Sequence, residues 1–176
     1  MSIITGRGDS GDTDLLFGKR IAKTSLRIEA LGNVDELNAA LGLARAASHD
    51  PGWIALIDRL QALLVGLMGQ LAYLPEDEAR YIEKKYAALT AEDLVWIVAE
   101  AHRYEAQGVQ FTGWARPGAD GSLARAGLDL ARAVARRAER SVLALHASGE
   151  AVPEVVRLFF NRLSDLLWIL ARVVDG

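Results

Sequence analysis

An all-α fold, an antiparallel bundle of five helices behind a glycine-rich N-terminal loop, is what this sequence predicts. Three observations point there. Apolar residues recur at helical spacing through long stretches after residue 33. Ala, Leu, Arg and Glu dominate the second half, and the whole chain has only 4 prolines. Short turn clusters separate the stretches, and helices of this length on short links return antiparallel to one another.

The elements follow in order. Residues 1–32 read as non-helical. The run from Thr5 to Thr13 sets Gly6, Gly8 and Gly11 among hydroxyl and carboxylate residues, a loop composition. Glycine lets the backbone approach a ligand, and successive N–H groups can form an anion nest. No Gly-Lys-Ser/Thr closes the run, so it is not a P-loop. Gly18 to Lys23 adds three cations, and Leu26–Leu31 reads as extended or irregular. Asn33, with Glu36 at N3, is the predicted cap of the first helix, which carries Leu37, Ala40, Leu41 and Ala44 on one stripe. Ser48 to Gly52 is a turn. A second helix is expected from about Trp53 to Leu74, ended by Pro75, then a polar piece from Glu76 to Leu89 with room for a short helix. Thr90, with Asp93 at N3, caps a third long helix reaching about Gln107. Gly108–Gly121 holds four glycines, Pro117, Phe111 and Trp114 and reads as an ordered connection. Ser122 caps a fourth helix to about Ala147, and Pro153 opens a fifth to about Val174.

Composition narrows the function. The 176 residues fit one domain, 1–176, with 1–32 as its loop segment. There are no cysteines, which excludes disulfides and thiolate metal sites. The net charge of −3 gives no general affinity for nucleic acid, so an anion site must be a local basic pocket. No apolar run reads as a membrane span, and the start lacks the pattern of a secretion signal, so a cytoplasmic location is expected. His49, His102 and His146 stand on separate segments without metal spacing.

One polar constellation stands out. Arg136, Arg137, Glu139 and Arg140 fall within five residues of the fourth helix, and Arg136 and Arg140, four apart, share a face. Read alone, the cluster suits either a solvated helix face with an internal salt bridge or a site for polyphosphate, whose oxygens guanidinium binds bidentately. Asp35, near the expected start of the first helix, suits the helix dipole or pairing with one of these arginines. Asn161, Arg162 and Asp165 interrupt an apolar final helix and are expected to be partly buried, hence in need of partners.

Taken together and in order, these motifs resemble the PduO-type ATP:corrinoid (cobalamin) adenosyltransferase family over nearly the whole chain. The residues that carry the likeness are Thr5 to Gly11; Gly18, Arg20 and Lys23; Arg27 to Asn38; Arg136 to Arg140; and Asn161 to Asp165. The resemblance implies a homotrimer with active sites between subunits, and ATP, Mg2+ and a corrinoid in each. It assigns Thr5, Gly6, Arg7, Gly8, Thr13, Asp14, Lys23, Arg136, Arg137, Glu139, Arg140 and Asn161 to ATP, with Glu139 helping to hold Mg2+. It gives Asp35 a salt bridge to Arg136, makes Asp35, Arg136 and Arg140 the catalytic set, and places Phe111, Trp114, Trp168 and Asp35 on the corrinoid side. The implied reaction is attack of Co(I) on the ribose C5′ of ATP with loss of triphosphate; the alternative is a non-catalytic carrier or sensor of ATP or adenosylcorrinoid. The sequence departs from the family pattern at three places. Arg7 replaces a Thr, and Trp114 and Trp168 stand where Phe is usual.

Overall fold

Ser25, not Asn33, opens the first helix. Its hydroxyl accepts from the Ile28 N–H at 3.4 Å, and α1 runs Leu26–Ala47. The structure, a computed structural model, describes residues 4–111 and 113–174; Met1 to Ile3, which include the start read for a secretion signal, lie outside that range. The expectation of a loop to residue 32 was wrong because a charged residue, Arg27, opens the buried face, its guanidinium donating to Leu71 O, Tyr73 O and Glu150. Arg27, Ala30, Asn33, Val34 and Leu37 form one buried face. Asn33 is an interior residue of that face: its amide donates to Glu29 at 3.0 Å and to Ser141 at 2.6 Å.

Helix α2 is Pro51–Leu71, capped by Asp50, which accepts from the Trp53 N–H at 2.9 Å. Pro51, read as part of a turn, sits in the first turn of the helix, where its missing N–H costs nothing. By length and composition α2 would also meet the requirement for a membrane span, against the sequence expectation. In the bundle, Trp53, Ile57, Leu60, Leu64, Leu67 and Leu71 are core. A short helix, α3 (Glu78–Glu83), follows, then α4 (Ala91–Glu105), which has the expected capping box between Thr90 and Asp93. Ser122 caps α5 (Leu123–Ala147), as expected. The last helix, α6, is Glu154–Leu170; it stops short of Val174 because Val173 leaves to bridge Val109.

The five long helices form a closed ring in the order α2, α1, α5, α6, α4, with Arg59 of α2 reaching Asp93 of α4 at 3.8 Å. A ring of five cannot alternate direction throughout, so one neighbouring pair must run parallel. It is α4 and α6, which both end where Val109 meets Val173. The core inside the ring is continuous; Phe159 and Phe160 are fully buried within it, their rings edge to face at 5.8 Å. Burial of each such side chain stabilises by roughly 1.5–3 kcal/mol. The tightest seam is between α1 and α5, where Gly127 lies against Ala44.

Residues 4–25 are not a plain loop. Asp12–Asp14 (β1) pairs antiparallel with Arg20–Ala22 (β2), a hairpin the sequence did not announce because each strand has three residues. Its tip binds the end of α2: the Leu16 N–H donates to Ala72 at 2.8 Å, Lys19 pairs with Glu76 at 3.0 Å, and Phe17 stacks on Tyr86.

Candidate active site

The glycine-rich segment is a fixed scaffold. Two successive turns, Asp9 N–H to Gly6 O and Gly11 N–H to Gly8 O, use positive φ at Gly6 and Gly11, a conformation open to glycine. Lys23 Nζ donates to Gly8 O at 2.7 Å, and a Cβ on Gly8 would lie 2.7 Å from that same nitrogen. Arg20 donates to Asp14 and to the carbonyl of Arg7, both at 3.0 Å. Thr5, Gly6, Arg7, Gly8, Thr13, Asp14 and Lys23 are therefore brought together, as the sequence suggested, at the end of the molecule where α1 begins and α2 ends.

The arginine cluster lies midway along α5, and its members do different things. Arg137 turns onto α1: its Nε donates to Asn33 Oδ1 at 3.0 Å and its guanidinium pairs with Glu36. Arg136 is exposed, and among the described residues its side chain has no recorded partner; Arg140 donates only to the carbonyl of Arg136, at 3.0 Å. Asp35 is exposed, and the ion pair at this level within the chain is Glu36 with Arg137 rather than Asp35 with Arg136. The reason is geometric: Glu36 faces the α1–α5 seam, whereas Asp35 and Arg136 face outward from it. Glu139 is half-buried beside them without a recorded pairing.

Asn161 and Asp165 also differ from expectation. Both are exposed on α6, because the buried stripe of that helix runs through Phe160, Leu163, Ser164 and Leu167. Ser164 is the polar residue that is buried there, and it satisfies itself by donating to Asn161 O at 2.9 Å.

Aromatic residues gather at the opposite end of the bundle. Phe111 meets Trp168 edge to face at 5.1 Å, and Arg172 lies 4.7 Å over the Trp168 ring. Trp114 is 85% exposed and, with Phe111, Arg116, Asp129 and Arg172, lines an open cavity of about 530 Å3, a volume suited to a small-molecule ligand. Beneath the cavity, Arg172 holds the buried Asp129 with two bonds of 3.0 Å and ties down the 109–121 connection by donating to Ala115 O at 3.2 Å. Sequence reasoning missed this Arg172–Asp129 pair; the one available signal was a charge on an apolar face of α5 and another in the apolar run that follows α6.

No group of three or more His, Asp or Glu able to hold a metal ion occurs among the described residues.

The model of the family described as cobalamin adenosyltransferase matches residues 3–174. The chain belongs to the cobalamin adenosyltransferase family. It is 38% identical over 177 residues to the corrinoid adenosyltransferase of Bacillus subtilis, covering 100% of this chain and 88% of that protein. It is 36% identical over 176 residues to the corrinoid adenosyltransferase PduO of Salmonella typhimurium, of which it spans 50%. Among solved structures, a variant PduO-type ATP:corrinoid adenosyltransferase from Lactobacillus reuteri, complexed with cobalamin and ATP, superposes with a TM-score of 0.84 at 30% identity over 97% of this chain and 92% of that one. Within the cobalamin adenosyltransferase family, the departures seen in the sequence now have surroundings: Trp114 stands free at the cavity rim, Trp168 is pinned between Phe111 and Arg172, and Arg7 lies against Asp14.

Proposed function

We propose that this protein transfers the 5′-deoxyadenosyl group of ATP to the Co(I) centre of a reduced corrinoid. The observation that carries this reading is the exposed pair Arg136 and Arg140, which among the described residues pair with no carboxylate although Arg137 between them is held by Asn33 and Glu36. Free guanidiniums on a packed helix suit a leaving triphosphate, whose charge they stabilise in the transition state. The Co(I) electron pair forms the bond to C5′, the C5′–O bond breaks, and triphosphate departs with that pair of electrons. No proton moves, so no general base is required of the chain. What the protein supplies is alignment and charge stabilisation.

Geometry supports a site shared between subunits of a homotrimer. The glycine-rich loop and the Phe111–Trp114 cavity lie at opposite ends of α5, whose 25 residues extend about 37 Å. One ATP and one corrin ring do not bridge that span, so a loop and a cavity serving the same reaction come from different chains. The face that would meet a neighbour is apolar where it should be: Leu43 (62% exposed) and Leu130 (48%) stand two turns along α1 and α5 from the Glu36–Arg137 pair, on the same side. In that arrangement Thr5 to Gly8, Thr13 and Lys23 of one subunit hold the phosphates with Arg136, Arg140 and Asn161 of the next. Glu139 assists Mg2+, and Asp35 pairs with Arg136 across the boundary. Phe111, Trp114 and Trp168 take the corrinoid.

The test is direct: incubate the protein with ATP, Mg2+ and chemically reduced cob(I)alamin and follow the Co(I) absorbance. Loss of that absorbance with release of triphosphate is the expected result. ATP binding without turnover would replace the enzyme by a carrier, and neither binding nor turnover would remove both readings.

A further inference from the structure

Asp14 carries one carboxylate and two arginines. Arg20, its partner across the hairpin, bonds it at 3.0 Å, and Arg7, from the glycine-rich turn, pairs with it at 3.3 Å. The two arginines are held in different ways. Arg20 also donates to the backbone carbonyl of Arg7, and Lys23 clamps the carbonyl of Gly8, so the backbone at Arg7 and just after it is fixed. Among the described residues the Arg7 side chain has the Asp14 contact alone and is 69% exposed, and exposed ion pairs of this kind contribute little. If Arg7 leaves, Asp14 keeps the Arg20 bond and no buried charge is orphaned. Lys23 lacks that freedom, because its ammonium is turned onto the loop backbone at Gly8.

We infer that Asp14 is a stand-in for phosphate: it parks Arg7 beside the loop until a polyphosphate arrives, and Arg7 then exchanges the carboxylate for the phosphate chain. This rests on the reading that the glycine-rich loop takes triphosphate. It makes Arg7 a specificity-determining residue that favours a long, highly charged phosphate chain, and it makes Asp14 a positioning residue that holds the guanidinium back and does not itself touch the nucleotide. Guanidinium is suited to the exchange because carboxylate and phosphate offer it the same bidentate geometry. The consequence reaches past ATP binding: the triphosphate product is also held by Arg7, so inorganic tripolyphosphate is expected to be a tighter inhibitor of this chain than of a version with Thr at position 7.

The experiment is calorimetric titration of the full chain with inorganic tripolyphosphate, for the wild type, Arg7→Thr, Asp14→Asn and the double variant, with cob(I)alamin turnover measured in parallel. Arg7→Thr is expected to weaken tripolyphosphate binding about tenfold and to reduce its sensitivity to salt. Asp14→Asn is expected to tighten binding severalfold when Arg7 is present and to change nothing when position 7 is Thr. That non-additivity is the signature of exchange, since a merely structural role for Asp14 would weaken binding in both backgrounds. Binding by Arg7→Thr equal to the wild type, or equal effects of Asp14→Asn in the two backgrounds, overturns the exchange while leaving the adenosyltransferase reading intact. Tripolyphosphate binding with the expected cycle but no turnover keeps the exchange and removes the enzyme reading; no binding by the wild type removes the exchange.

Discussion

Arg137 bonds the buried Asn33 and pairs with Glu36, so it joins α5 to α1. Arg136 has no side-chain partner among the described residues and faces solvent. Arg137→Ala is therefore expected to destabilise the protein by about 1–2 kcal/mol, since it strands an Asn amide oxygen at the seam. Arg136→Ala is expected to change stability by less than about 0.5 kcal/mol while lowering kcat/KM for ATP by on the order of a hundredfold. Urea unfolding and the Co(I) assay, run on both variants, check this division; equal losses of stability would contradict it. Helical spacing placed Arg136 and Arg140 on one face from sequence alone. It left open which of the carboxylates Asp35 and Glu36 turns inward, because that depends on where α1 sits against α5.

At the scale of elements, caps were legible and packing was not. Thr90 with Asp93, and Ser122, act as caps where the sequence put them, because a cap is a local bond. Asn33 was misread because its partner Ser141 is 108 residues away, and the hairpin escaped notice because three-residue strands have too little period to detect. Glycines inside helices were equally silent. A Cβ on Gly127 would stand 2.9 Å from Ala44 Cα and 3.1 Å from Ala44 N, backbone that cannot turn aside. Gly127→Ala is expected to push α1 and α5 apart at a cost of about 1–3 kcal/mol, read as a lower urea midpoint. The attachment of the hairpin to the 75–77 turn is electrostatic and responds to pH. The Glu76 carboxyl is held below the usual range, first by its own backbone N–H and then by the Lys19 ammonium; Lys19 is held above its usual value by the same pair. The carboxylate's contribution is present above the unfolded Glu value and is lost as pH falls through the lower folded one, so protection of the hairpin amides should decline below about pH 4. The Lys19 contribution runs the other way, fading only as alkaline pH passes its raised value. Hydrogen exchange normalised for intrinsic rates tests this, and Glu76→Gln should abolish the acid-side change.

For the whole molecule, the ring of helices places its two candidate half-sites at opposite ends of one chain, which is why the proposed site draws on two subunits. The glycine-rich hairpin leans toward α2 and α3, while Arg136 is next to the Arg137 that pairs with Glu36, about 15 Å along α1 from Leu26, and the Trp114 cavity is farther still, at the other end. This separation was legible only through family likeness, since the distance between two loops exists only once the helices have lengths and directions. A site built between subunits has a consequence that a site within one chain does not share. Lys23→Ala spoils the loop that a subunit contributes, and Arg136→Ala spoils the arginine face it contributes to its neighbour. Each variant alone should be nearly inactive. Unfolded together and refolded, the two should form mixed trimers in which about a quarter of the sites receive an intact loop and an intact arginine face, and Co(I) consumption should return in that proportion. A mixture as inactive as its parents, with mixed trimers demonstrated by mass, would contradict a site assembled between subunits.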